Sequence, residues 1–83
     1  MFHRIEEIIP LENMILKIKF KNKIIKYYDV KKILNKIEEF KILENTSIFN
    51  NVKVDVGGYA IVWNDELDIS CEELYNNGLE KIE

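Results

Sequence analysis

Residues 16–37 read LKIKFKNKIIKYYDVKKILNKI, and the apolar period changes partway along this stretch. Leu16, Ile18 and Phe20 alternate with Lys17, Lys19 and Lys21, the period of two that turns one strand face toward a core and the other toward water. Asn22-Lys23 follows as a turn, with Asn22 the residue suited to positive φ. Ile24-Ile25-Lys26-Tyr27-Tyr28 then returns as a second β-rich run, so the pair reads as a hairpin. From Asp29 onward Val30, Ile33, Leu34 and Ile37 fall at i, i+3, i+4 and i+7, which predicts an amphipathic helix with Asp29 as its N-cap. A hairpin running into a helix points to an α+β domain.

Upstream, His3–Ile9 reads as a further strand, ended by Pro10 and the Glu12-Asn13 pair. Downstream, Glu44-Asn45-Thr46-Ser47 marks a break before an Ile48-Phe49 anchor. Val52, Val54 and Val56 alternate with Lys53 and Asp55, Gly57-Gly58 supplies a tight turn, and Tyr59-Ala60-Ile61-Val62-Trp63 answers as the second strand of another hairpin. Asn64–Ile69 reads as an acidic, solvated loop. Ser70 with Glu73 three residues on forms a capping box, Leu74 supplies the buried side of a tail helix, and Gly78 sits where a left-handed C-terminal residue belongs. The expected order is β-β-β-α-β-β-α, with two hairpins forming the sheet or sheets and two short helices packed against them. Residues 1–83 are expected to be one domain with no separate linker or tail.

Composition agrees with a packed domain: 83 residues and 9.9 kDa leave room for one core, and 47% hydrophobic against 33% charged residues is unlike a disordered tail. Apolar runs are too short to span a bilayer, and the first residues lack a signal peptide's apolar region, so the expected address is cytoplasmic with no membrane contact. Cys71 has no second cysteine to pair with, as expected in a reducing compartment. Charge is uneven. Residues 1–41 carry ten Lys/Arg against six Asp/Glu, net +4, whereas residues 42–83 carry two Lys against nine Asp/Glu, net −7. A small domain without staples commonly gains burial from a second chain, which makes a homodimer the expected assembly.

Few residues suggest chemistry. His3 and Cys71 stand far apart in sequence with no ligand spacing around either, and Asp65, Glu66, Asp68, Glu72 and Glu73 lack the loop pattern of a calcium site, so no metal or cofactor is expected. Cys71, at the start of the tail helix, is placed where the helix dipole lowers a thiol pKa, yet packing is the plainer role. Asp68 is a candidate for fixing the corner before Ser70 through backbone N–H groups. Gly57-Gly58 joins two strands without a following helix or a lysine, so it is a turn and not a phosphate cradle. Asp55, Asp68 and Cys71 are the only catalytic candidates, and the expectation is that the chain is not an enzyme. Lys17, Lys19 and Lys21, with Lys23 and Lys26 nearby, form the one basic stripe. Its plainest role is to guard an exposed strand, and the acidic balance argues against a life on nucleic acid. Tyr59, Ile61 and Trp63 share one side of their strand while Ala60 and Val62 occupy the other, so both sides are apolar and one cover is expected from a partner.

The order and spacing of Phe49, Asp55, Gly58, Ile61, Trp63, Asp68 and Leu74, together with Pro10, the Leu16-x-Ile18-x-Phe20 strand, Asp29 and Leu43, resemble the bacterial family known as domain of unknown function 2442. The resemblance covers nearly the whole chain. It departs at Lys23, where a turn glycine is usual, and at Asn64-Asp65-Glu66, where a proline or glycine is often found. What it implies is a small α+β domain and, for some members, an antitoxin-like half of a pair with a small protein encoded nearby. The function expected is thus a non-enzymatic protein-interaction module using Tyr59, Trp63 and the lysine strand. The alternative is a nucleic-acid-contacting module using Lys17, Lys19, Lys21, Lys23 and Lys26.

Overall fold

The lysine-rich stretch forms the middle strand of a three-stranded antiparallel sheet. In the computed structural model, which describes residues 3–81, β1 (Ile5–Pro10), β2 (Ile15–Phe20) and β3 (Ile25–Asp29) lie side by side in that order. Leu16 pairs with Pro10 and Tyr28, Ile18 with Ile8 and Lys26, and Phe20 with Ile5, so Leu16, Ile18, Phe20, Tyr28 and Ile5 all turn inward and are buried. The positive φ of the β2–β3 turn falls on Lys23 (φ 76) and not on Asn22. The Asn22 side chain instead accepts the Ile24 N–H at 3.1 Å, a local carboxamide turn that leaves the reversal to the next residue. Between β1 and β2, Glu12–Met14 forms a tight 3-10 turn in which Asn13 (φ 61) and Met14 (φ 58) are both left-handed, so the strand opens at Ile15.

The helix expected from Asp29 is much shorter. α1 spans Lys31–Leu34, and Asp29 is not its cap: its carboxylate accepts the Lys31 N–H at 3.0 Å, two residues on, and pairs with the Lys31 ammonium at 3.0 Å. Lys32 and Lys36 stand i, i+4 and repel, Lys31 and Lys32 sit at the positive end of the helix, and β-branched Val30, Ile33 and Ile37 add little propensity. Ile37 is extended (φ −129, ψ 106) and 44% exposed, so it is not a core residue. A 3-10 segment, Glu38–Glu44, then buries Phe40 and Leu43. α2 (Thr46–Phe49) follows with Asn45 accepting the Ile48 N–H at 3.2 Å and Phe49 buried.

The second sheet holds β4 (Lys53–Val54), β5 (Ala60–Asn64) and β6 (Leu67–Ser70), with β5 in the middle. Val56, at 97% exposure, and Tyr59 lie outside the strands, while Gly57 (φ 93) and Gly58 (φ 80) make the expected turn. β6 occupies what reads in sequence as loop: Leu67 and Ile69 are buried, Asp68 and Ser70 exposed. Asn64 makes this possible, its side chain accepting the N–H of Glu66 at 2.8 Å and of Leu67 at 3.0 Å to turn the chain back. The expected order of elements holds, with α2 added before the second hairpin and this strand added between that hairpin and the tail helix.

α3 (Cys71–Asn77) begins at Ser70, whose hydroxyl accepts the Glu73 N–H at 3.1 Å. Gly78 is not left-handed: it is extended (φ −74, ψ 155), because the chain leaves the helix to pair Leu79 with Tyr27 through two 2.7 Å backbone bonds. A Cβ at Gly78 would lie 2.5 Å from the Leu74 carbonyl oxygen, so the glycine serves close approach. One core joins the two sheets and the helices. Trp63, 8% exposed, lies among Phe40 and Phe49, and its indole N–H donates to the Phe49 carbonyl at 3.0 Å.

Candidate functional site

The face of the first sheet that points away from the core carries the lysines in a defined setting. Cross-strand pairing flanks Lys17 with Ile9 and Tyr27, and Lys19 with Glu7 and Ile25. Ile9 and Ile25 are 37% and 38% exposed, Tyr27 and Ile15 are half-buried, and α3 packs on the other side, where Tyr75 meets Phe20 edge-on. No helix or strand among the described residues covers this outer face. Lysine stems and isoleucines therefore lie in alternating rows, apolar between charges.

The five lysines do not act as one patch. Lys19 and Lys23 both pair with Glu6, at 3.2 Å and 3.4 Å, and these contacts, the Lys19 bond first, hold the Glu6 carboxyl below its usual range. Lys17 and Lys21 make no ion pair with any described residue, and neither does Glu7, which stands opposite Lys19 on the same face. Lys26 belongs to the opposite face. It stands across from buried Ile18, reaches the Tyr75 carbonyl, and its ammonium lies 4.2 Å from the centre of the Tyr75 ring. Alternation along β3 alone put Lys26 out of step with Tyr27, but only the register showed which of them shares a face with Lys17.

Trp63 is a core side chain and is withdrawn from any exposed surface by its burial and its indole bond. Tyr59 is half exposed and lies under the Arg4 guanidinium, 4.1 Å from the ring centre. The other sequence-singled residues have structural places. Asp55 accepts the Tyr59 N–H through its carboxylate at 3.1 Å and the Gly58 N–H through its carbonyl at 3.1 Å, so it pins the glycine turn. Ile61, Leu74 and Phe49 are buried. Asp68 does not hold the corner before Ser70: its side chain is exposed on β6 beside Val62 and makes no hydrogen bond to another described residue, and the Ser70 hydroxyl caps that corner by accepting the Glu73 N–H.

Cys71 is buried, donates its thiol to the His3 carbonyl at 3.2 Å, and is pushed up in pKa by burial and then by Glu72, with Arg4 opposing. The helix-dipole effect expected at that position is outweighed by desolvation. Glu73, read from sequence only as a cap partner, accepts the Tyr28 hydroxyl at 2.9 Å instead of reaching back to Ser70, and burial together with this carboxylate raises the Tyr28 pKa. Among the described residues no three His, Cys, Asp or Glu side chains converge to hold a metal ion, and no helix is long and apolar enough to cross a membrane.

These features define a small two-sheet α+β domain with one uncovered, lysine-and-isoleucine sheet face. The family model described as protein of unknown function, DUF2442, matches residues 5–80, nearly the whole chain, and the chain belongs to that family. No curated protein and no solved structure matches it.

Proposed function

We propose that the domain is a non-enzymatic protein-binding module, the binding half of a two-protein system. Its outer sheet face docks on an acidic and apolar surface of a partner. The observation that carries this reading is the placement of Lys17, without an ion pair, between Ile9 and Tyr27 on a face without a covering layer, with Lys21, also without one, in the turn that follows the strand. Apolar rows supply burial and the two free ammonium groups supply orientation and choice of partner. A second copy fits less well, because a face-to-face dimer brings two faces in which lysines outnumber carboxylates against each other, and like charges across an interface are destabilising. Nucleic acid fits less well than protein, since isoleucines and Tyr27 occupy the positions between the lysines and the net charge is −3.

The test is co-expression with the product of the neighbouring reading frame, followed by light scattering and titration. The expected result is a monomer alone and a one-to-one complex with an acidic partner that weakens at least roughly tenfold in K17E/K21E. A stable homodimer lost in K17E/K21E would assign the face to a second copy. Salt-sensitive binding of a duplex or single strand, lost in the same variant, would assign it to nucleic acid.

A further inference from the structure

Among the described residues, three of the four sheet edges are obstructed. β1 carries Pro10, which has no N–H to offer, gives its Ile5 N–H to the Gly58 carbonyl at 2.8 Å, and has β4 lying against it. β3 is bridged at Tyr27 by Leu79, and β4 is two residues long. β6 is the fourth edge, and its backbone groups can be followed one by one. The Cys71 N–H donates to the Tyr59 carbonyl at 2.7 Å, and Ile69 stands opposite Ile61. In an antiparallel ladder, Cys71 and Ile69 then turn their backbone groups toward β5, while Asp68 and Ser70 turn theirs away. The N–H and carbonyl of Asp68 and the N–H of Ser70 have no hydrogen-bond partner among the described residues.

This edge borders a cleft of about 280 Å³ whose far wall is Ile33, Ile37 and Phe40. Phe40 meets Trp63 edge-on, which sets that wall on the core side of the second sheet, and Ile37 is 44% exposed. The charged residues lining the cleft are Asp68 and Glu73, with no lysine or arginine, and Asp68 makes no ion pair with a described residue. Backbone donors and acceptors spaced along an edge select an extended segment and not a helix, whose own groups are already bonded. The wall selects apolar side chains at every second position of that segment. On its other face, the unpaired Asp68 selects a basic residue as its cross-strand neighbour.

We infer that β6 accepts an extended segment of a partner protein as a further strand of the second sheet, with alternate apolar residues on Ile33, Ile37 and Phe40 and a basic residue beside Asp68. A second copy fits less well, because its own free edge is this same strand, which would bring another Asp68 to a cleft already lined by carboxylates. The site is separate from the outer face of the first sheet, and neither reading depends on the other.

A random-peptide display library panned on the full chain tests the inference, with an enriched peptide then measured by fluorescence anisotropy. Enriched sequences are expected to alternate apolar with polar residues and to carry a basic residue among the polar ones. N-methylation at one set of alternate residues is expected to abolish binding and at the other set to spare it, because only one set turns its N–H groups toward β6. On the protein, Ser70 has φ −70, within the range a proline ring fixes, and follows Ile69 in a strand, so S70P deletes the outward N–H at a compatible backbone position. S70P is expected to bind at least roughly tenfold more weakly than S70A, which loses the same helix cap and keeps the N–H. D68N is expected to weaken binding and to relax the choice of a basic residue. No enrichment, indifference to which set is N-methylated, equal affinity of S70P and S70A, or a homodimer abolished by S70P and kept in S70A each overturns the inference. Peptides lost in K17E/K21E and kept in S70P overturn it as well, by assigning the enrichment to the outer sheet face.

Discussion

Gly58 shows how much one residue settles. It is left-handed, its carbonyl accepts the Ile5 N–H at 2.8 Å, and an added Cβ would meet the Ile5 carbonyl oxygen at 2.6 Å. Gly57 is equally left-handed, but its nearest contact is the ring of half-exposed Tyr59 at 2.9 Å, a group able to swing away. G58A is therefore expected to cost at least about 2 kcal/mol, and G57A about 1 kcal/mol, since both bear the conformational penalty but only one drives into backbone. Urea unfolding of the two variants checks this, and equal losses would show that Gly58 is not the joint between the sheets. From sequence the pair reads as a turn and no more, because the contact with Ile5 depends on a neighbour 53 residues away in the chain.

At the scale of elements, the two strand periods and the tail helix were legible, and the connections were not. Leu16-Ile18-Phe20 and Ile61-Trp63 both face the core as alternation requires. β6 escaped because its alternation, Leu67-Asp68-Ile69-Ser70, is two apolar residues long and sits in an acidic setting; Asn64, a residue suited to turning the chain, was the available signal. α1 was over-read because a helical period in apolar residues says nothing of the Lys32–Lys36 repulsion on the other side. The outer face was legible as lysines, whereas its interleaving with Ile9, Ile25 and Tyr27 needed the register. The tail helix offers a clean test of what was read correctly. S70A removes the acceptor of the Glu73 N–H and is expected to cost about 1 kcal/mol, while E73Q leaves that backbone bond intact and costs less, losing only the charge on the acceptor of the Tyr28 hydroxyl. Thermal unfolding of the pair separates a cap made by Ser70 from one made by the Glu73 side chain.

The whole molecule measures 31 × 30 × 21 Å across its Cα atoms. Its pH dependence follows from the groups the fold perturbs. Glu6, held low by Lys19 and Lys23, contributes above the ordinary carboxylate range, and that contribution is lost as pH falls through its folded pKa. Tyr28, raised above its unfolded value of 10.0, contributes fully below pH 10; above it the unfolded chain ionises first, so stability falls as pH rises. Y28F is expected to show a shallower alkaline decline than the parent between about pH 10 and 11, read from urea midpoints at each pH. Identical slopes would mean that the phenol is as free in the folded chain as in the unfolded one.

The pairing of Leu79 with Tyr27, and of Cys71 with the His3 carbonyl, fastens the last part of the chain to the first. Synthesis on the ribosome proceeds from the other direction. The first sheet emerges with β3 unfastened along one edge and Phe20 without Tyr75, and these surfaces wait until Tyr75 and Leu79 have been made. A nascent chain arrested before Leu79 presents an open strand edge to whatever lies nearby.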